Sequence, residues 1–267
     1  MMPVTIKLKK KLKYRLDMSF LSDISNYKSI KTLLSKKISY GNRMVCITSL
    51  FSITGNDTSS VIIKSSTDYM DNIGANLENI EMKVYGRTGY SFGSKMLSGK
   101  LTLYGNCSDY AASGMKGGEM FIYGNAGDFL GGKPNSSNEG ILDGFIYVRG
   151  NVGQKSIQRM RRGNIIIKGD LGDYACEEMI SGSIIVMGKI GNSFAKGIKR
   201  GTIITKEKKV TKDYRLSNNA EYNFISFFIN KISKIVKSNL LGRKSFISRY
   251  HGHKDNNNLS EVFIFKS

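Results

Sequence analysis

A chain of 267 residues, 40% of them hydrophobic, is long enough to bury a core of its own. It contains no apolar run near the roughly 20 residues of a membrane span, and its start, MMPVTIKLKKKLKYRLDM, lacks the apolar stretch of a secretory leader. The net charge of +20 favours an anionic partner, yet no nucleic-acid recognition motif accompanies it, and a chain so rich in Lys, Ile and Asn also carries charge as plain solvated surface.

Residues 1–73 read as an N-terminal cap. Residues 29–35 predict a short helix. Residues 38–40 and 44–48 predict a hairpin around Gly41-Asn42, a pair suited to a tight turn. A cap is required physically, because the end of a stacked sheet exposes strand edges and apolar columns. The three cysteines, Cys46, Cys107 and Cys176, are widely spaced and form no CxxC pair; they fit a reducing cytoplasm and read as small buried residues.

Residues 74–207 repeat. Apolar anchors at Leu77, Met96, Met115, Ile141, Met160, Met179 and Ile198 are separated by 19, 19, 26, 19, 19 and 19 residues, one register with a single seven-residue insertion near 133–139. Three residues after the anchor stands Gly99, Gly118, Gly144, Gly163, Gly182 or Gly201, with Ile80 in the first copy. Nine after it stands Gly86, Gly105, Gly124, Gly150, Gly169 or Gly188. Between these corners lies a five-residue strand with aliphatic second and fourth positions, from Met82 and Val84 to Ile184 and Val186. Such period-two alternation marks a strand with one buried face. A unit of this length cannot bury that face alone, so copies must stack.

The fold class is therefore all-β, a right-handed parallel β-helix of about seven 19-residue turns, with strands about 4.8 Å apart. A left-handed hexapeptide helix needs a period that is a multiple of six, which 19 is not. A further glycine stands at Gly89, Gly127, Gly153, Gly172 and Gly191, with Ser108 in that place once, and an acid or amide follows in most copies: Asp109, Asp128, Gln154, Asp173 and Asn192. Side chains of this kind at turns accept hydrogen bonds from local backbone. A calcium role would call for the nine-residue period of calcium-binding β-rolls, which is missing.

Residues 208–267 form the other flank. Ile225, Phe228, Ile229, Ile232, Ile235 and Val236 recur at helical spacing with Lys231, Lys234 and Lys237 between them, an amphipathic helix expected to pack on the prism. The outward strand centres become apolar in the second half of the repeats, at Phe121, Tyr147, Ile166, Ile185 and Ile204. A stripe of this kind on a face that should be wet must be covered, by the C-terminal helix or by another subunit, and the five residues are a candidate partner interface. The exposed stripe predicts that the isolated chain aggregates. The next outward column begins with a tyrosine ladder, Tyr85, Tyr104 and Tyr123.

Just after the anchors, Arg161, Arg162, Lys199 and Arg200 fall in adjoining columns two turns apart, about 10 Å, and should form a cationic patch suited to carboxylates or phosphates. No nucleophile–base pair, metal cluster, phosphate-cradling loop or carboxylate pair stands out, so no catalytic or metal-ligating residue is assigned. His251 and His253 are the two histidines, too few for a convincing metal site, and read as a tail turn.

The segments AASGMKGGEMFIYGNAGDFLGG (111–132), RMRRGNIIIKGDLGDYACEEMISGSIIVMGKIG (159–191) and IKRGTII (198–204) resemble the C subunit of formylmethanofuran dehydrogenase, most of all its bacterial counterpart in the formyltransferase/hydrolase complex. The same GxGxG-type β-helix closes the large chain of glutamate synthase. The resemblance is strong over 77–205 and extends to 16–55. The tail RYHGHKD (249–255) is similar to the family's ending, with His253 where the family has an acid. This resemblance implies a non-catalytic scaffold in a four-subunit complex of tetrahydromethanopterin- and methanofuran-linked one-carbon metabolism. Its partners would be the complex's three other chains, among them an amidohydrolase-like one and a formyltransferase, with neither nucleic acid nor membrane. A molybdenum or tungsten dehydrogenase complex is the archaeal alternative. A stand-alone β-helix binding acidic polymers is another. The family's furan cofactor carries a glutamate chain, which Arg161, Arg162, Lys199 and Arg200 are expected to hold.

Overall fold

The structure, a computed structural model, describes residues 1–22, 24, 30–134, 137–208, 214–220, 222–238, 240, 247–252 and 258–265. The N-terminal region supplies β1 (Pro3–Leu8), β2 (Leu16–Asp17), α1 (Ile30–Leu34), β3 (Lys37–Tyr40), β4 (Arg43–Cys46), α2 (Ile47–Leu50), β5 (Phe51–Thr54), β6 (Asp57–Ser66) and β7 (Met70–Asp71). The expected helix and hairpin are both present: β3 and β4 pair antiparallel and Tyr40 faces Arg43 across Gly41, whose φ is +60°. Residues 25–29 lie outside the described part of the chain.

The repeats give β8 (Glu81–Gly86), β9 (Lys100–Tyr104), β10 (Glu119–Ile122), β11 (Phe145–Val148), β12 (Asn164–Ile167), β13 (Ser183–Val186) and β14 (Thr202–Thr205), each parallel to the next. Register follows the repeat. Met82, Leu101, Met120, Ile146, Ile165, Ile184 and Ile203 form one inward column, and every one is at most 1% exposed. The insertion leaves Met120 opposite Ile146, so the stack keeps its register across it. A third inward column runs through Thr88, Cys107, Ala126, Val152, Leu171 and Ile190, bridged coil to coil.

The ladder continues beyond the repeats at both ends. β6 pairs parallel with β8, Val61 opposite Met82, and β1 pairs parallel with β6. On the other side come β15 (Tyr214–Ala220), α3 (Asn223–Ile235), β16 (Ile247–Gly252) and β17 (Glu261–Phe265). β17 lies parallel against β14, while β16 and β15 complete an antiparallel meander. Among the described residues these elements make one 13-stranded sheet, so cap and flank add strands to the sheet that the repeats begin. No described helix is long and apolar enough to cross a membrane.

The arc opposite the strands follows a different rule. Tyr110, Phe129, Lys155 and Tyr174 occupy one column with φ of +63°, +60°, +52° and +57°, and Ala112, Ile157 and Cys176, two residues later, are also left-handed. Alternate peptides then point to opposite neighbours. Tyr110 N–H donates forward to Asp128 O at 2.9 Å, and Ala112 N–H donates backward to Phe92 O at 2.8 Å. Backbone groups outside the strands are thereby paired between coils, which offsets the unfavourable dihedrals of non-glycine residues.

Candidate functional site

The polar columns at the corners are structural. Asn106, Asn125, Asn151 and Asp170 each accept, through Oδ1, the backbone N–H of the next coil, at Asn125, Asn151, Asp170 and Lys189, over 2.7–2.9 Å. The acid column does likewise: Asp71, Asp109, Asp128 and Asp173 accept from Tyr90, Asp128, Gln154 and Asn192. These side chains serve the neighbouring coil, a correction to the local-backbone role expected from the sequence. Two glycine columns make room for them. A Cβ on Gly169 would collide with Asn151 Oδ1, and one on Gly191 with Asp173 Oδ1. The acids are thus engaged in the stack, and among the described residues no three His, Cys, Asp or Glu side chains converge on a metal position. His251 sits exposed on β16 opposite Glu261, and His253 lies outside the described residues.

The cysteines divide by environment. Cys107 and Cys176 are buried, and desolvation pushes both thiols up, Cys107 to about 12. Cys46 is half-buried; a hydrogen bond between its sulfur and Thr48 Oγ1, at 3.1 Å, leads the causes that draw its pKa below the ordinary value. A disulfide-exchange reagent should therefore label Cys46 alone in the native chain, with a pH midpoint below that of a free cysteine, and label Cys107 and Cys176 after denaturation. Native labelling of all three would contradict this packing.

Arg161, Arg162, Lys199 and Arg200 are all exposed, just past the buried anchors Met160 and Ile198. The intercoil bonds Arg161 N–H to Ile141 O and Lys199 N–H to Met179 O, both 2.8 Å, fix the turns in register. The four cations share one edge of the prism, but not as an unbroken patch. Glu139, delivered by the insertion, pairs with Arg161 at 2.5 Å, and Asp143 stands one coil before Arg162 in the same column. Lys199 and Arg200, two coils further on, form the end farther from these acids. Beside the insertion, Lys95 and Pro134 line two adjoining clefts of about 320 and 310 Å³, which also take in Lys133 and Lys116.

The apolar stripe is not open surface. Phe121, Tyr147, Ile166, Ile185 and Ile204 are 0–4% exposed and form a second core with Ile225, Ile229, Ile232, Val236 and Leu240. Of the two coverings expected from the sequence, the chain's own α3 occupies this face. A partner arriving here meets the back of α3 and not these five side chains, and the reason to expect aggregation from them falls away. That back is itself unusual: Phe224 and Phe227 are 73% and 69% exposed. A helical wheel of 223–235 would have found them, because Phe227 stands opposite Ile225, Ile229 and Ile232 and Phe224 stands on their flank. The tyrosine ladder is built as expected, with Tyr85–Tyr104 and Tyr104–Tyr123 ring centroids 4.8 and 5.1 Å apart and nearly parallel planes.

The family described as GXGXG motif matches residues 28–251. Among solved structures, the chain is similar to one from the X-ray crystal structure of the formyltransferase/hydrolase complex (FhcABCD) of Methylorubrum extorquens in complex with methylofuran. The TM-score is 0.82 at 26% identity, over 98% of this chain and 100% of that one. No curated protein matches the sequence.

Proposed function

Since the chain belongs to the GXGXG motif family, we propose that it is a non-catalytic scaffold, equivalent to the C subunit, in a formyltransferase/hydrolase complex of tetrahydromethanopterin- and methanofuran-linked one-carbon metabolism. The observation that carries this reading is the end-to-end likeness to a chain of such a complex, with both chains covered almost entirely. The corner acids support it, since they are engaged by neighbouring coils. In this reading the prism holds a hydrolase-like chain and a formyltransferase chain together, and a methylofuran-type cofactor passes between them.

Reconstitution from separately purified subunits tests the scaffold role. Leaving out this chain should leave each half-reaction intact and slow the coupled conversion of formyl donor to formate. An unchanged coupled rate overturns the reading; loss of a half-reaction would mean that the chain contributes reacting groups. The cationic edge is assigned to the acidic tail of the cofactor. Reversing Arg162, Lys199 and Arg200 to Glu should raise the cofactor KM steeply at low ionic strength and much less at high salt. An unaltered KM in an intact complex removes that assignment.

A further inference from the structure

Resting on the scaffold reading, we infer that the outer face of α3 is a docking knob for another subunit of the assembly, one that offers an apolar pocket rimmed by carboxylates. α3 is apolar on two sides. Its long inner stripe, Ile225, Ile229 and Ile232, is 2–3% exposed and fills the groove over the sheet. Its outer side carries Phe224 and Phe227, almost wholly in solvent, and Phe228 stacks on Phe224 with an 11° interplanar angle and a centroid distance of 6.3 Å. The inner face anchors the helix to a rigid sheet, so the rings are held in place before any partner arrives. Aromatic side chains fixed in this way are what dominate binding energy at protein interfaces.

Charge selects the occupant. The exposed residues following the aromatic turn include Lys231, Lys234 and Lys237, with Arg215 on the neighbouring edge strand β15; the single acid in the sequence from 214 to 240, Glu221, lies outside the described residues. A second copy of this chain would bring the same cations against these and is disfavoured by repulsion. A carboxylate-rimmed pocket is complementary. A membrane surface fits less well, because a helix lying in lipid needs an apolar face along its length. In α3 that face is taken by the sheet, and the outward aromatics occupy the first half only.

The test uses the complex purified through a tag on this chain, with Phe224→Asp/Phe227→Asp as the variant. Both positions are exposed, so the variant chain should keep its melting temperature. The complex should lose one subunit, with an affinity drop of about tenfold or more. Lys231→Glu/Lys234→Glu should weaken the same contact at low salt, and the effect should fade at high salt. A double Phe variant that retains every subunit at wild-type affinity overturns the docking knob and leaves the scaffold reading standing. If that variant keeps its subunits but loses co-sedimentation with phosphatidylserine-containing vesicles that the wild-type complex displays, the face is a membrane contact instead. A wild-type chain that purifies without subunits removes the scaffold reading and the knob together.

Discussion

Ile185→Asp should destabilise the free chain by about 3–5 kcal/mol, the penalty of an uncompensated charge in a dry interior. Ile185 is 1% exposed, lies between Ile166 and Ile204 in the outward column, and faces the inner side of α3. Nothing in that cluster offers a counter-charge. The matching change Tyr85→Asp, at a position 42% exposed in the tyrosine ladder, should alter stability far less, by about 0.5–1 kcal/mol. Chemical denaturation of the two variants separates a stripe sealed by the chain itself from one left open for a partner. In the open case Ile185→Asp would behave like Tyr85→Asp. The pH dependence adds a check. A carboxyl in this cluster would have a folded-state pKa above its unfolded value, so the variant's deficit should shrink as pH falls toward the ordinary carboxylate range and grow again as pH rises through the raised value.

Gly169→Val, at a half-buried corner, should be strongly destabilising, by about 3 kcal/mol. The backbone there is not left-handed; the reason is space. The first added carbon would meet Asn151 Oδ1 and the carbonyl of Gly150, both belonging to the coil beneath. Neither can yield cheaply, because Asn151 Oδ1 holds the N–H of Asp170 at 2.9 Å and Gly150 O belongs to the ladder. Asn151→Ala removes the same hydrogen bond without the collision and should cost about 1 kcal/mol, near the net value of a partly exposed bond. Thermal melts of both variants check the ranking. Equal effects would mean that the glycine column serves something other than close coil approach.

The repeat was legible because the inward column from Met82 to Ile203 is apolar in every copy; Ile165, Ile184 and Ile203 state the register by themselves. The turn contributed by β6 was not legible. Val61 and Met82 are 21 residues apart, and an irregularity between Ile63 and Ser66 takes up one of the two extra residues. Serines also stand where the other coils carry their corner glycines. The strand β17 was hidden for another reason: it joins the ladder after a long excursion through β15, α3 and β16. The left-handed column at Tyr110, Phe129 and Tyr174 has no residue signature, since it is imposed by hydrogen bonds between coils that a single repeat does not contain.

The candidate sites were legible to a lesser degree. Spacing put Arg161, Arg162, Lys199 and Arg200 on one edge, but the Glu139 partner of Arg161 comes from the insertion, whose path no periodicity describes. The stripe from Phe121 to Ile204 was evident as an apolar surface in need of cover. Which element covers it depends on tertiary packing, and α3 won because its inner spacing of Ile225, Ile229 and Ile232 matches the groove. The outer Phe224 and Phe227 were legible as aromatics and unread as surface, because the inner stripe alone accounts for an amphipathic helix.

The most direct measurement is the native mass of the particle purified from its own host through a tag on this chain, with its subunits identified. The scaffold account predicts a particle of fixed stoichiometry containing a hydrolase-like chain and a formyltransferase chain in constant ratio to this one. A chain recovered alone, at the mass of a single 29.7 kDa copy, would contradict it.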